Sequence, residues 1–259
     1  MYEATAPQSI GGVLDSGFSL FRSALKSTFL VAFAAAFLSA PASRISESMV
    51  VGGAPGGTLL VGAVIGLFVY LIVTLVLYGA LIALIDKAAR GEEGGIRDAL
   101  SIGLRRGPAL FGVSIGYSVA VFLGMILLLV PGLWVMVAML FGFFAAVLEG
   151  KGPIESLSYS MRLVRGHWWR TTGVLTVIFF IVMVIYFVIG LIGGAAAVFQ
   201  PDALLATGNL PWYIDFIVVP VLSAVVLPLM YTMTYAVYRD LKLRSEGTDL
   251  ADRIAAAAQ

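Results

Sequence analysis

VPGLWVMVAMLFGFFAAVLEGKGPIESLSYSMRLVRGHWWR, residues 130–170, shows how this chain is built. Pro131-Gly132 separates two hydrophobic runs, and a proline–glycine pair in that position is a turn signal. Residues 133–148 then carry no charge and end at a charged, glycine-rich corner, Glu149-Gly150-Lys151-Gly152. Pro153 opens a short basic helix, because a first helical turn tolerates proline. Ile154, Leu157, Met161 and Val164 form its apolar stripe. Trp168-Trp169 start the next long apolar run. The unit is a turn, a descent, a corner, an amphipathic helix and a re-entry.

The rest of the chain has the composition this unit demands. Of 259 residues, 60% are hydrophobic and 12% charged, with a mean hydropathy of +1.01. Soluble domains carry roughly 25% charged residues, so lipid is the solvent here. Residues 58–85, 108–129, 171–199 and 212–238 are each long enough to cross about 30 Å of hydrocarbon at about 1.5 Å per residue. The runs 133–148 and 29–42 are shorter and reach that length with their flanking residues. The expected fold is all-α with six transmembrane helices.

Charge then orients the spans. With a cytoplasmic N-terminus, fifteen of the sixteen Lys and Arg residues fall on the cytoplasmic side, and only Arg44 falls outside. The positive-inside rule therefore puts both termini in the cytoplasm. Ala40-Pro41-Ala42 imitates a signal-peptidase site, but the stretch before its apolar core is far too long for an n-region, so cleavage is not expected.

Two further amphipathic segments precede spans. In 9–26, Ile10, Leu14, Phe18, Phe21 and Leu25 share a face; in the loop after the second span, Ile96, Leu100 and Leu104 do. Such helices are expected in the cytoplasmic headgroup layer. Three times, an amphipathic helix leads into an out-and-back pair of spans. The expected organisation is one membrane domain, 1–238, of three parallel repeats at about 9–85, 94–148 and 152–238, followed by a charged tail, 239–259. Residues 43–57 and 200–211 read as outer loops. Gly62 and Gly66 allow close helix approach, and Pro220 and Pro228 should kink the sixth span.

The polar residues divide into three groups. Glu149, with Pro131 and Gly132, reads as a structural corner, its carboxylate pairing with Lys151, Arg162 or Arg165. Tyr70, Thr74, Tyr78, Tyr117, Tyr231, Thr234 and Tyr235 form polar faces that serve either as packing between helices or as the wall of a pathway. Arg105, Arg106, Arg162, Arg165 and Arg170 lie on or just after helices with apolar faces, where each is worth about 1 kcal/mol near an anionic leaflet. They are candidate lipid headgroup contacts as well as topology signals.

Several chemistries lack their residues. There is no cysteine, and His167 is the only histidine, so no histidine pair can bind metal; beside Trp168 and Trp169 it reads as part of an interfacial belt. No Walker loop, G-x-S-x-G or H-E-x-x-H occurs. No acidic or basic side chain lies deep in a span, which disfavours ion-coupled pumping. No catalytic residues, cofactor, metal or nucleic-acid partner are expected; membrane lipids and a membrane protein partner are.

Pro131-Gly132, Glu149-x-Lys151-Gly152-Pro153-x-x-Ser156-Leu157-x-x-Ser160 and Leu163-x-x-Gly166-His167-Trp168-Trp169 together resemble a family. It comprises bacterial inner-membrane proteins related to the membrane domain of glycerophosphoryl diester phosphodiesterases, including a six-span group. In the phosphodiesterases, catalysis belongs to a separate soluble domain. The resemblance therefore implies an inner-membrane module without the enzyme. The expected function is non-enzymatic assistance to membrane transport or to envelope and lipid homeostasis. The alternative is a facilitative transporter or channel for a small or amphipathic solute.

Overall fold

The computed structural model describes residues 7–51, 57–198 and 214–257, with side-chain surroundings given for 7–39, 60–188, 190–191 and 216–245. Within them every regular element is helical. α1 is Ile10–Val51, α2 Gly57–Ala89 and α3 Ile96–Leu127. The fourth span comes in pieces: α4, Leu129–Met139; α5, Gly142–Phe144; and a π-helical turn, Ala145–Glu149. The short helix α6 is Pro153–Val164, and α7 is Trp168–Val198. A second π-helical turn, Ile214–Val218, runs into α8, Val219–Ala257. Six stretches are long and apolar enough to cross a membrane: Ile10–Ser39, Leu60–Ala89, Ile96–Leu127, Leu129–Glu149, Trp168–Val188 and Phe216–Ser245.

The closest helix approaches fall at small residues, while large side chains such as Phe141, Tyr235 and Tyr238 fill the core between them. Lipid tails are as apolar as leucine, so spans associate through close contact rather than through hydrophobic burial. α1 lies along α8 and α2 and buries Val13, Gly17, Leu20, Ala24, Thr28, Val31 and Ala35. A Cβ on Gly17 would sit 3.0 Å from the Met233 Cα. α2 crosses α3 at Gly79 and Gly103, where a Cβ on Gly103 would collide with the Val76 carbonyl. α7 leans mainly on α8.

Several residues of the expected apolar faces lie on the outside of the bundle, where lipid-facing side chains belong. Ile10 and Phe18 are exposed, as are Leu104 and Ile154, while the protein-facing side of α6 holds Ser156, Leu157, Ser160, Leu163 and Val164. Bulky side chains on these helices can face lipid, and the small ones are needed at contacts. Nor are there three separate amphipathic helices. The first two are the opening turns of α1 and α3, which run on unbroken, with Pro108 accommodated inside α3. Only α6 stands alone. Helix also continues to Val51, through most of the expected loop 43–57, and the loop 200–211 lies outside the described residues. Gly62 and Gly66 meet nothing within 4 Å, so they mediate no contact among the described residues.

The turn between the third and fourth spans is displaced from Pro131-Gly132. A single extended residue, Leu128 (φ −170°, ψ 150°), separates α3 from α4, and Pro131-Gly132 lies inside the first turn of α4. Proline fits there because that turn's N–H groups have no helical partner. Glycine is needed because the returning helix touches the outgoing one: a Cβ on Gly124 would lie 2.9 Å from the Gly132 Cα. Leu128 donates its N–H to the Gly124 carbonyl, and its own carbonyl accepts the Gly132 N–H.

Candidate functional site: a basic end, a side groove and a central cavity

α8 carries Tyr235, Tyr238, Asp240, Lys242 and Arg244 within about three turns. These side chains gather the ends of four other elements. The Tyr235 hydroxyl donates to Asp86 Oδ1, 2.7 Å away at the end of α2, and Arg90 pairs with the same carboxylate. Glu149 accepts from the Tyr238 hydroxyl at 3.0 Å and from Lys242 at 2.6 Å. Asp240 is completely buried. It accepts from Arg170 at 2.5 Å, from Arg244 at 2.9 Å and from the Gln8 backbone N–H at 2.8 Å. Both guanidinium groups also donate to the Gln8 carbonyl. The chain's entry into α1, the start of α7 and the end of the sixth span thus meet at one carboxylate.

Two sequence expectations change here. Glu149 is a corner, but its partners come from α8 rather than from α6, because only the tertiary fold brings Tyr238 and Lys242 to it. Asp240 and Leu241, the second and third residues of the expected charged tail 239–259, are buried in the bundle. Lys151 reaches Glu155 instead, at 2.7 Å, and lies over the Tyr159 ring. Its hydrogen bond holds the Glu155 carboxyl below the usual carboxylate range.

The five expected headgroup arginines also separate. Arg170 is committed to Asp240. Arg106 braces the corner by donating to the Gly150 carbonyl at 3.2 Å; Gly150 has a φ of +70°, and a Cβ there would press on that guanidinium. Arg105 is exposed at the start of the span in α3. Arg162 and Arg165 remain, exposed and without an ion-pair partner among the described residues. They line a cleft of about 330 Å³ with Trp134, Ala138, Ser158, Met161 and Trp168. The Trp168 indole N–H donates to the Trp134 carbonyl at 3.3 Å and ties the mouth of α7 to α4.

Trp168 also begins a second space. A groove of about 560 Å³ runs between α4 and α7, lined by Tyr117, Leu133, Met136, Leu140, Thr172, Phe179 and Val182 among others, with Met230 and Thr234 of α8. From Trp168 to Val182 it follows α7 for about 21 Å, more than one leaflet's share of a core about 30 Å thick. Its lining is apolar except for Tyr117, whose hydroxyl donates to the Met136 carbonyl at 3.3 Å, and three threonines. The buried Thr172 hydroxyl has no hydrogen-bond partner among the described residues.

A third space lies at the centre of the bundle. Leu75, Tyr78 and Ile82 of α2, Leu110 and Ser114 of α3, Leu140, Phe143 and Phe144 of the fourth span, and Met230, Tyr231 and Thr234 of α8 line a partly open cavity of about 290 Å³. Tyr78 and Tyr231 face each other with ring centroids 5.7 Å apart. Of the seven polar-face residues, Tyr78, Tyr231 and Thr234 meet here. Tyr117 belongs to the groove and Tyr235 to Asp86. Thr74, one turn before Tyr78, is buried with no hydrogen-bond partner among the described residues, and Tyr70 lies a turn further out, half-buried.

Residues 107–241 match a family model described as a domain of unknown function (DUF7847), just over half of the chain. The chain belongs to that family. The DUF7847 match covers the whole lining of the arginine cleft and of the side groove; only Leu75, Tyr78 and Ile82 of the central cavity fall outside it. It carries no link to glycerophosphoryl diester phosphodiesterases. No curated protein and no solved structure matches the chain.

Proposed function

We propose that this DUF7847 protein is a non-enzymatic module of the bacterial inner membrane that holds anionic phospholipid and serves envelope or lipid homeostasis or assists membrane transport. In this reading its basic end and both termini are cytoplasmic. One observation carries it: the arginine cleft and the apolar side groove meet at Trp168. A phosphate needs the first and an acyl chain the second. Guanidinium groups match phosphate geometry with paired N–H donors, and neither Arg162 nor Arg165 forms an ion pair among the described residues. Buried acyl methylenes contribute about 0.8 kcal/mol each, which a groove longer than one leaflet can exploit. The unpartnered Thr172 hydroxyl lies one turn inside Trp168, at the level where the ester oxygens of such a lipid would pass. The kinship of residues 130–170 with phosphodiesterase membrane domains belongs to the same proposal, as that of a membrane module separate from catalysis.

Native mass spectrometry of protein released from its own membrane tests this. The wild type should retain anionic phospholipid adducts, and Arg162→Gln/Arg165→Gln should lose them. Arg105→Gln, an exposed arginine outside the cleft, should keep them. Identical adducts on the double variant and the wild type would overturn the reading. A second reading, a facilitative path for a small or amphipathic solute, is favoured by the hydroxyl-bearing cavity at the bundle centre.

A further inference from the structure

The central cavity has an unusual balance of chemistry. No charged side chain lines it. Tyr78, Ser114 and Tyr231 each bring a hydroxyl to its wall, and none of the three hydroxyls has a hydrogen-bond partner among the described residues. Of these residues and Thr74, one turn from Tyr78, only Thr74 has a hydroxyl that is itself buried without a partner among the described residues. The Tyr78, Ser114 and Tyr231 hydroxyls reach the open space of the pocket, and polar groups within hydrocarbon call for a partner that the described residues do not supply.

Its position narrows what that partner is. Tyr78 stands eight residues from Asp86, and Tyr231 nine from Asp240, or about 12–14 Å along their helices from the basic end. That is close to the midplane of a core about 30 Å thick, where a charged group costs at least about 2.5 kcal/mol. A ligand there must be neutral. Hydroxyl donors are best met by an oxygen that only accepts, as in a carbonyl or an ester.

A route exists from the lipid side. Leu140, Met230 and Thr234 line both the cavity and the side groove, so the wall between them is one layer of side chains. The fourth span is interrupted at that wall. α4 stops at Met139, residues 140–141 turn, and α5 begins at Gly142, while the Ala138 carbonyl accepts the Ser160 hydroxyl at 2.7 Å. Broken helices within membranes are tolerated where they line a cavity.

We infer that the central cavity is a second binding site, for an uncharged, bilayer-soluble molecule bearing a carbonyl or ester oxygen, which enters from the side groove past Leu140, Met230 and Thr234. The site is distinct from the arginine cleft, and its ligand carries no phosphate. Tyr78, Ser114 and Tyr231 donate to the acceptor oxygen, and Phe143, Phe144 and Leu110 enclose the apolar remainder.

Equilibrium binding to the full chain in lipid nanodiscs tests it, with two labelled probes, 2-methyl-1,4-naphthoquinone and dioctanoylglycerol. The chain has no cysteine for the quinone to alkylate. At least one probe should bind saturably above empty discs. Tyr78→Phe/Tyr231→Phe should weaken that binding about tenfold, as the loss of two ordinary hydrogen bonds does. Ser114→Leu, which fills the cavity, should abolish it. Both variants should unfold cooperatively in detergent near the wild-type midpoint, which shows that they fold. Arg162→Gln/Arg165→Gln should bind the probe like the wild type, so failure of the cleft reading leaves this one standing. If neither probe exceeds empty discs, the cavity holds only water and the inference falls. It also falls if both folded cavity variants bind like the wild type.

Discussion

Replacing Asp240 with asparagine removes one charge from the most heavily bonded point of the fold. The carboxylate is wholly buried, so water cannot take its place. Asparagine keeps one carbonyl oxygen for the Gln8 N–H, but its amide turns an NH₂ toward Arg170 and Arg244, donor against donor. Removing one partner of a buried ion pair costs about 3–5 kcal/mol. Both guanidinium groups keep about a fifth of their surface in solvent, which puts the loss near the lower end, about 3 kcal/mol. For a chain of this size roughly 2–4 °C accompanies each kcal/mol, so the unfolding midpoint should fall by about 6–12 °C. Scanning fluorimetry of the detergent-purified protein would read this through its tryptophans. Adding Arg170→Gln to the Asp240 variant should cost much less than the sum of the two single changes, because the pair is already broken. A midpoint for Asp240→Asn within about 1 °C of the wild type would refute the view that this carboxylate ties the N-terminal segment, α7 and α8 together.

Glu149→Gln should be milder, below about 1 kcal/mol, since both Glu149 and Lys242 are about a quarter exposed. Lys242→Gln should reproduce its midpoint shift in the same melt and Arg162→Gln should not, as the α8 partnership requires. The tip of the α3–α4 hairpin should stay out of water: Ile126–Val130 are all exposed and apolar, and the leg from Gly107 to Leu127 is only about 31 Å long. In intact cells and in opened membranes alike, a cysteine at Leu128 should resist an impermeant maleimide, while one at Ser101 should react once membranes are opened. Rapid labelling at 128 would show that the tip surfaces.

Much of the fold is legible in the chain because lipid imposes simple demands. A span needs about 20 apolar residues, and runs of that length stand out at 58–85 or 108–129 without any knowledge of neighbours. The corner at Glu149 and the helix after Pro153 are equally local, set by charge, glycine and proline. The faces of the helices were harder. Hydrophobic periodicity groups Ile10, Phe18, Leu104 and Ile154 into apolar faces without saying which faces meet protein, because in a membrane bulky apolar residues are as well placed against lipid. The informative signal was the spacing of small residues, Gly17 with Ala24, or Gly79 opposite Gly103. The side groove and the cavity had weaker signatures, single hydroxyls such as Thr172 and Ser114 on otherwise apolar helices.

The sequence by itself determined the six apolar helices, the concentration of basic residues at alternate turns, the separate helix at 153–164 and the want of charge within the spans. Each follows from a few neighbouring residues and the solvent around them. Only the tertiary structure decided that Glu149 answers to Lys242, that Asp240 is the buried partner of Arg170, and that Arg162 and Arg165 are left without one. Those pairings join residues 70 and 93 positions apart. Partners at such distances are chosen by how α8 packs against the other helices, and helix packing depends on surfaces that no single segment contains.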